Sequence, residues 1–160
     1  MERIASFTVD HDLLTEGIYV SRVDGDVVTY DLRMRRPNGG DYVSPLAAHS
    51  LEHMLATYMR AGEAGERVIY VGPMGCRTGF YLLMRGSTAD NEKNLAALKN
   101  ALEKIIDHKG AMPGARRREC GNFRALSVAA AKAEAVRYLN ALNAREQTFV
   151  YSGDVLDGGI

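Results

Sequence analysis

The sequence predicts an α+β fold, an antiparallel β-sheet packed with helices in a single domain. Three observations predict it: early strand-like runs with a period of two, turn residues that join the first pair as a hairpin, and amphipathic helical stripes that follow. A length of 160 residues suits one such core and would cramp two.

The elements follow in order. Ile18 to Val23 reads as a strand, and Asp24-Gly25-Asp26 supplies hairpin turn chemistry. Val28, Tyr30, Leu32 and Met34 then alternate with Thr29, Asp31, Arg33 and Arg35, which describes a strand with one apolar and one polar face. Arg33 is therefore expected away from the apolar set, with Asp31 on its side. Pro37-Asn38-Gly39-Gly40 ends this strand, and Ser44-Pro45 has the look of an N-cap with proline in the first turn. A helix is expected from about Pro45 to Arg60, with Leu51, Leu55, Tyr58 and Met59 available for packing and Gly62 and Gly65 as its stop. Val68 to Val71 is a short strand, and Thr78 to Arg85 is another, with Phe80, Leu82 and Met84 on one face. Leu95, Leu98, Leu102, Ile105 and Ile106 form the stripe of a helix from about Asn91 to His108. Ser127 caps a last helix to about Asn143, with Val136, Leu139 and Leu142 as its apolar positions. The domain is expected to occupy residues 1–150, and residues 151–160 to form a flexible tail.

Composition narrows the functions. The chain is 46% hydrophobic and 25% charged, and 20 Lys+Arg balance 20 Asp+Glu. That balance argues against a nucleic-acid partner, because binders of phosphate backbones show a basic excess or stripe. The run Arg116-Arg117-Arg118 is short and reads as a solvated loop. No apolar run reaches the roughly 18 residues that span a bilayer, and the N-terminus shows no long apolar leader. The expectation is a cytoplasmic protein with no membrane partner. Cys76 and Cys120 are too few for a disulfide framework and read as free, catalytic or metal-binding thiols.

His49-Ser50-Leu51-Glu52-His53 is an H-x-x-E-H motif. Residues four apart on a helix lie one above the other, so His49 and His53 can grip one ion. Glu52 then sits near the open side of that ion, where a general acid or base is useful. Catalytic sites usually have three protein ligands and an open position, and Cys120 is the best third candidate. Cys76 sits in the kinked segment Gly72-Pro73-Met74-Gly75-Cys76-Arg77-Thr78-Gly79. Two readings stay open for it: a thiolate favoured by Arg77 or a bound cation, or an inert cysteine beside a bulge.

Four segments resemble the S-ribosylhomocysteine lyase (LuxS) family. They are Ser6-Phe7-Thr8-Val9-Asp10-His11, then Tyr30-Asp31-Leu32-Arg33 with Pro37-Asn38, then His49 to His53, and Pro73-Met74-Gly75-Cys76-Arg77-Thr78-Gly79-Phe80-Tyr81. Cys120-Gly121 follows at a suitable distance. The resemblance implies a carbon–sulfur lyase that splits S-ribosylhomocysteine into homocysteine and 4,5-dihydroxy-2,3-pentanedione, the precursor of the autoinducer-2 quorum signal. It implies a divalent ion, Fe2+ with Zn2+ or Co2+ as substitutes, on His49, His53 and Cys120, and Glu52 and Cys76 as the acid–base pair. It also implies that Ser6, His11 and Arg33 bind the ribose end, that Arg60 binds the substrate carboxylate, and that the protein is a homodimer with sites at the subunit interface. One position departs from the family. Six residues before Cys76, where an acidic residue suits the substrate ammonium, this chain has Tyr70. The pair Arg35-Arg36 is also more basic than the resemblance predicts. The alternatives weighed are an H-x-x-E-H metallopeptidase of the inverzincin type and a non-catalytic signal-binding module on the same fold.

Overall fold

Alternation in the second strand sets the two faces of the sheet. The structure is a computed structural model and describes residue 4 and residues 7–152. Strands β1 (Gly17–Asp24), β2 (Val27–Arg33), β3 (Val68–Pro73) and β4 (Gly79–Arg85) form one sheet in the order β1-β2-β4-β3, every neighbouring pair antiparallel. Val28, Tyr30 and Leu32 enter the core with Phe80, Leu82 and Met84. Thr29, Asp31 and Arg33 take the other face by the period of two. Asp24 pairs with Val27 across a two-residue turn, where Gly25 adopts φ 59, a value that glycine reaches without a Cβ clash.

β2 stops two residues before its alternation does. The amides of Met34 and Arg35 both donate to the carbonyl of Thr78, each at 2.9 Å, and one acceptor shared by successive amides breaks the ladder. Asp31 and Arg33 stand on the face away from the apolar set, as the alternation predicts, yet both are buried. Arg35 is buried too, with Nη2 donating to both Glu134 oxygens at 2.6 and 2.8 Å. That pairing gives the first member of the unusual basic pair a structural role, while Arg36 stays exposed.

Three helices cover the apolar face. Helix α1 (Pro45–Ala61) is capped by Ser44, whose Oγ accepts the Ala47 amide at 3.1 Å, and it buries Ala47, Leu51, Met54, Leu55 and Met59. Helix α2 (Asn91–Asp107) buries Leu95, Leu98, Leu102 and Ile105, as its stripe predicts. Helix α3 (Val128–Asn143) is capped by Ser127 but packs differently from expectation. It buries Ala131, Ala135, Tyr138 and Leu142, and Val136 is exposed. Alanines let α3 approach α1 and α2 closely, and that proximity decides its inner face more than side-chain hydropathy does.

After α3 the chain returns to β1. The side-chain oxygen of Gln147 accepts the Ile18 amide at 3.1 Å, and the Phe149 carbonyl accepts the Val20 amide at 2.8 Å. Tyr151 stacks on Tyr19 with ring centroids 5.0 Å apart. Of the expected tail, residues 153–160 lie outside the described residues. The sheet thus has a helix-covered face and an open face that carries Tyr19, Asp31, Arg33 and Tyr81.

Candidate functional site

Two clusters on different sides of the sheet hold most of the predicted site residues. The first is on α1. The ligand atoms of His49, His53 and Cys120 all lie within 4.8 Å of one another. His49 Nδ1 is 2.7 Å from the Ala125 carbonyl, and His53 Nδ1 is 2.8 Å from the Pro113 carbonyl. A carbonyl only accepts, so both Nδ1 atoms carry hydrogen and both Nε2 lone pairs are left for a ligand. Cys120 Sγ is 3.4 Å from His49 Nε2 and receives the Asn122 amide at 3.4 Å. The 3.4 Å between Cys120 Sγ and His49 Nε2 matches an edge of a tetrahedron around one divalent ion with bonds of about 2.0–2.3 Å. The cluster could therefore hold a metal, and carbonyl partners on both imidazoles are the outer contacts that such ligands require.

Local sequence explains why the parts meet. Residues 49 and 53 share a flank of α1 through the four-residue spacing, and their rings stand edge to face at 4.8 Å. Ser50, between them, accepts the Ser127 amide at 2.8 Å, which ties the entry of α3 to α1 and brings the Ala125 carbonyl over His49. Tyr58 and His108 brace the other supporting loop: the tyrosine hydroxyl is 2.7 Å from His108 Nδ1, and His108 Nε2 is 3.0 Å from the Ala111 carbonyl. Since that carbonyl accepts, His108 Nε2 carries hydrogen, and the ring bridges Tyr58 to the loop. Glu52 is partly buried beside His53.

The second cluster surrounds Cys76. A cavity of about 230 Å³ is lined by His11, Asp31, Arg33, Cys76, Tyr81 and Tyr151 among others. Cys76 sits in the β3–β4 turn, closed by a bond from the Met74 amide to the Gly79 carbonyl at 2.9 Å, and Arg77 adopts φ 61. Gly79 is required here, because a Cβ would fall 2.3 Å from the Leu32 carbonyl. Arg33 forms a bidentate bond to Asp31, Nε to Oδ1 at 3.0 Å and Nη2 to Oδ2 at 2.6 Å, and Tyr151 donates to Oδ2 at 2.8 Å. Burial lowers the pKa of the Arg33 guanidinium, but Asp31 more than reverses this and leaves it raised. Burial and the Asp31 charge both push the Tyr151 phenol upward. His11 Nδ1 is 2.8 Å from the Val9 carbonyl, so its Nε2 is the nitrogen left for the cavity.

The remaining predicted residues lie apart from both clusters or outside the described part. Arg60 is exposed and donates to the Ile69 carbonyl at 3.1 Å. Tyr70 is half-exposed and lies across Gly72, where an added Cβ would be 2.0 Å from the tyrosine hydroxyl. Ser6 lies outside the described residues. Asp31, Thr78, Tyr81 and Tyr151 belong to the Cys76 cluster but were not singled out for it. The antiparallel register that sets Asp31 opposite Tyr81 was the signal for one of them.

This is a small α+β protein with a cluster of two histidines and a cysteine that could hold a metal, and with a cysteine pocket. A family model described as S-Ribosylhomocysteinase (LuxS) matches residues 4–149, and the chain belongs to that family. It is 47% identical over 128 residues to an S-ribosylhomocysteine lyase of Clostridium acetobutylicum, covering 77% of this chain and 80% of the relative. It is 41% identical over 159 residues to the protein of that name in Clostridium beijerinckii, covering 94% and 99%. A Borreliella afzelii relative with the same name is 42% identical over 149 residues, covering 89% and 94%. These relatives favour neither the peptidase nor the non-catalytic alternative. Among the described residues no helix is long and apolar enough to cross a membrane.

Proposed function

We propose that this chain is a cytoplasmic S-ribosylhomocysteine lyase, a carbon–sulfur lyase that releases L-homocysteine and 4,5-dihydroxy-2,3-pentanedione. The observation that carries the reading is the meeting of Cys120 with His49, 71 residues apart, beside His53 in a chain of this family. His49, His53 and Cys120 would hold one divalent ion, Fe2+ in this reading, with Zn2+ or Co2+ suited to the same donors. When bound, the ion supplies a Lewis acid that polarises the sugar carbonyl and makes the neighbouring C–H more acidic.

The chain's own residues then move protons. Cys76 takes the proton from a carbon next to the carbonyl and returns it to the other, so the carbonyl migrates from C1 to C2 and on to C3. Glu52 carries protons among the sugar oxygens. Loss of the C4 proton then expels the homocysteine thiolate from C5. His11, Arg33 and Ser6 orient the ribose end. Arg60 suits the substrate carboxylate because a guanidinium can bond both oxygens. Tyr70 offers a hydroxyl and a π face, rather than a carboxylate, to the ammonium. The pentanedione product gives the reaction a role in autoinducer synthesis.

A homodimer completes the reading. The Cys76 pocket is built on the open sheet face and the metal-binding cluster on the helical layer, and pairing of two copies would bring complementary halves together. The test is thiol release from S-ribosylhomocysteine by anaerobically purified, iron-loaded protein, followed with a thiol-reactive dye. Homocysteine should appear and should fall by about 100-fold or more in Glu52→Gln at unchanged metal content. No release from protein with one iron per chain would overturn the substrate assignment.

A further inference from the structure

Thr78 has no part in the proton transfers above, yet it touches the sulfur. Its Oγ1 is 3.1 Å from Cys76 Sγ and 2.6 Å from Nη1 of Arg33. A guanidinium has only donors, so Arg33 fills an acceptor site on Oγ1 and leaves the hydroxyl hydrogen to be placed elsewhere. The sulfur lies within reach of it. We propose that Thr78 is a positioning residue for Cys76, its hydroxyl accepting from Arg33 and donating to the sulfur so as to hold a thiolate aimed into the cavity. The inference rests on the reading of Cys76 as the carbon base.

The surroundings are built to keep that hydroxyl still. Thr78 is buried, and its carbonyl is held by the Met34 and Arg35 amides. Arg33 is fixed by its two bonds to Asp31, and Asp31 in turn by Tyr151, whose ring stacks on Tyr19. The order Tyr151, Asp31, Arg33, Thr78, Cys76 is a chain of hydrogen bonds in which a cation polarises the last donor. Charge-assisted chains of this kind strengthen their members and favour an anionic end. Thr78 thereby carries the Arg33 charge to a sulfur that the guanidinium is not seen to bond directly.

The experiment uses the full chain without substrate. Alkylation of Cys76 by iodoacetamide is followed at neutral pH by peptide mass spectrometry, which separates it from alkylation of Cys120. Thr78→Val keeps shape and loses the donor, and its alkylation rate should fall about tenfold. Thr78→Ser keeps the donor and should regain most of the rate. Equal rates in all three proteins, or a serine variant as slow as the valine one with the same circular dichroism, would overturn the proposal. Should the valine variant not fold, Thr78→Ala set against Thr78→Ser makes the same comparison. Failure of the catalytic reading shows separately, as turnover that survives in Cys76→Ala, because the alkylation rate involves no substrate.

Discussion

A methyl group at Gly114 would lie 2.9 Å from His53 Nδ1, the atom that donates to the Pro113 carbonyl. Gly114 also adopts φ +69, a conformation that costs other residues about 1–2 kcal/mol. Its absent side chain therefore decides how closely the loop can seat against the imidazole of His53. Gly114→Ala should push the ring or the loop away and weaken metal binding by about tenfold or more. Competition between the protein and a chelator for cobalt measures this directly. Single residues also explain which parts of the site were legible. His49, Glu52 and His53 carry their geometry in helical spacing, so the motif alone brought them together. Tyr151 carries no such signal, because its bond to Asp31 spans 120 residues and depends on where the chain returns after α3.

Helix α3 is held near its middle by ion pairs. Arg35 joins Glu134, and Arg137 donates to Asp41 at 2.7 Å. Arg35 and Glu134 are largely withdrawn from water, with side-chain exposures of 4% and 12%, so removing one partner strands the other. Arg35→Met should cost about 3 kcal/mol, read from urea unfolding midpoints. Asp41 is exposed, and its carboxyl is held below the usual range chiefly by the hydrogen bond from Arg137. A folded pKa below the unfolded one gives stability that is complete above about pH 4 and lost as the pH falls through the folded value. Asp41→Asn should therefore lack part of the wild-type fall in Tm between about pH 4 and about pH 2. At this scale the sequence located the four strands and three α-helices of the described residues to within a few residues, but not the short 3-10 turns Gly65–Arg67 and Thr88–Asp90. It missed the end of β2, where Thr78 accepts two amides from across the sheet, and the inner face of α3, where small residues matter because other helices are near.

At the scale of the whole molecule, the Cys76 pocket and the His49, His53 and Cys120 cluster lie on different sides of the sheet. Helices cover one face of the sheet, and the Cys76 pocket opens on the other, with the exposed Phe7 in its lining. In the proposed homodimer each site takes Cys76 from one copy and Glu52 from the other. Cys76→Ala and Glu52→Gln are then each inactive alone. Equal mixing after dissociation and reassociation should recover about a quarter of wild-type turnover, because about half the dimers pair unlike chains and each has one intact site. Persistent inactivity in dimers shown to have exchanged would place both residues of a site on one chain.

The sequence by itself determined the α+β class, the element order and the presence of the H-x-x-E-H and cysteine motifs. Those properties live in spacings of two and four residues, which backbone geometry converts into strand faces and helix flanks. Only the tertiary structure decided that Cys120 meets the histidines, that Asp31 and Arg33 are buried, and that Thr78 and Tyr151 belong with Cys76. Such contacts join residues far apart in the chain. They are set by how helices and returning segments pack on the sheet, and no local pattern encodes that distance.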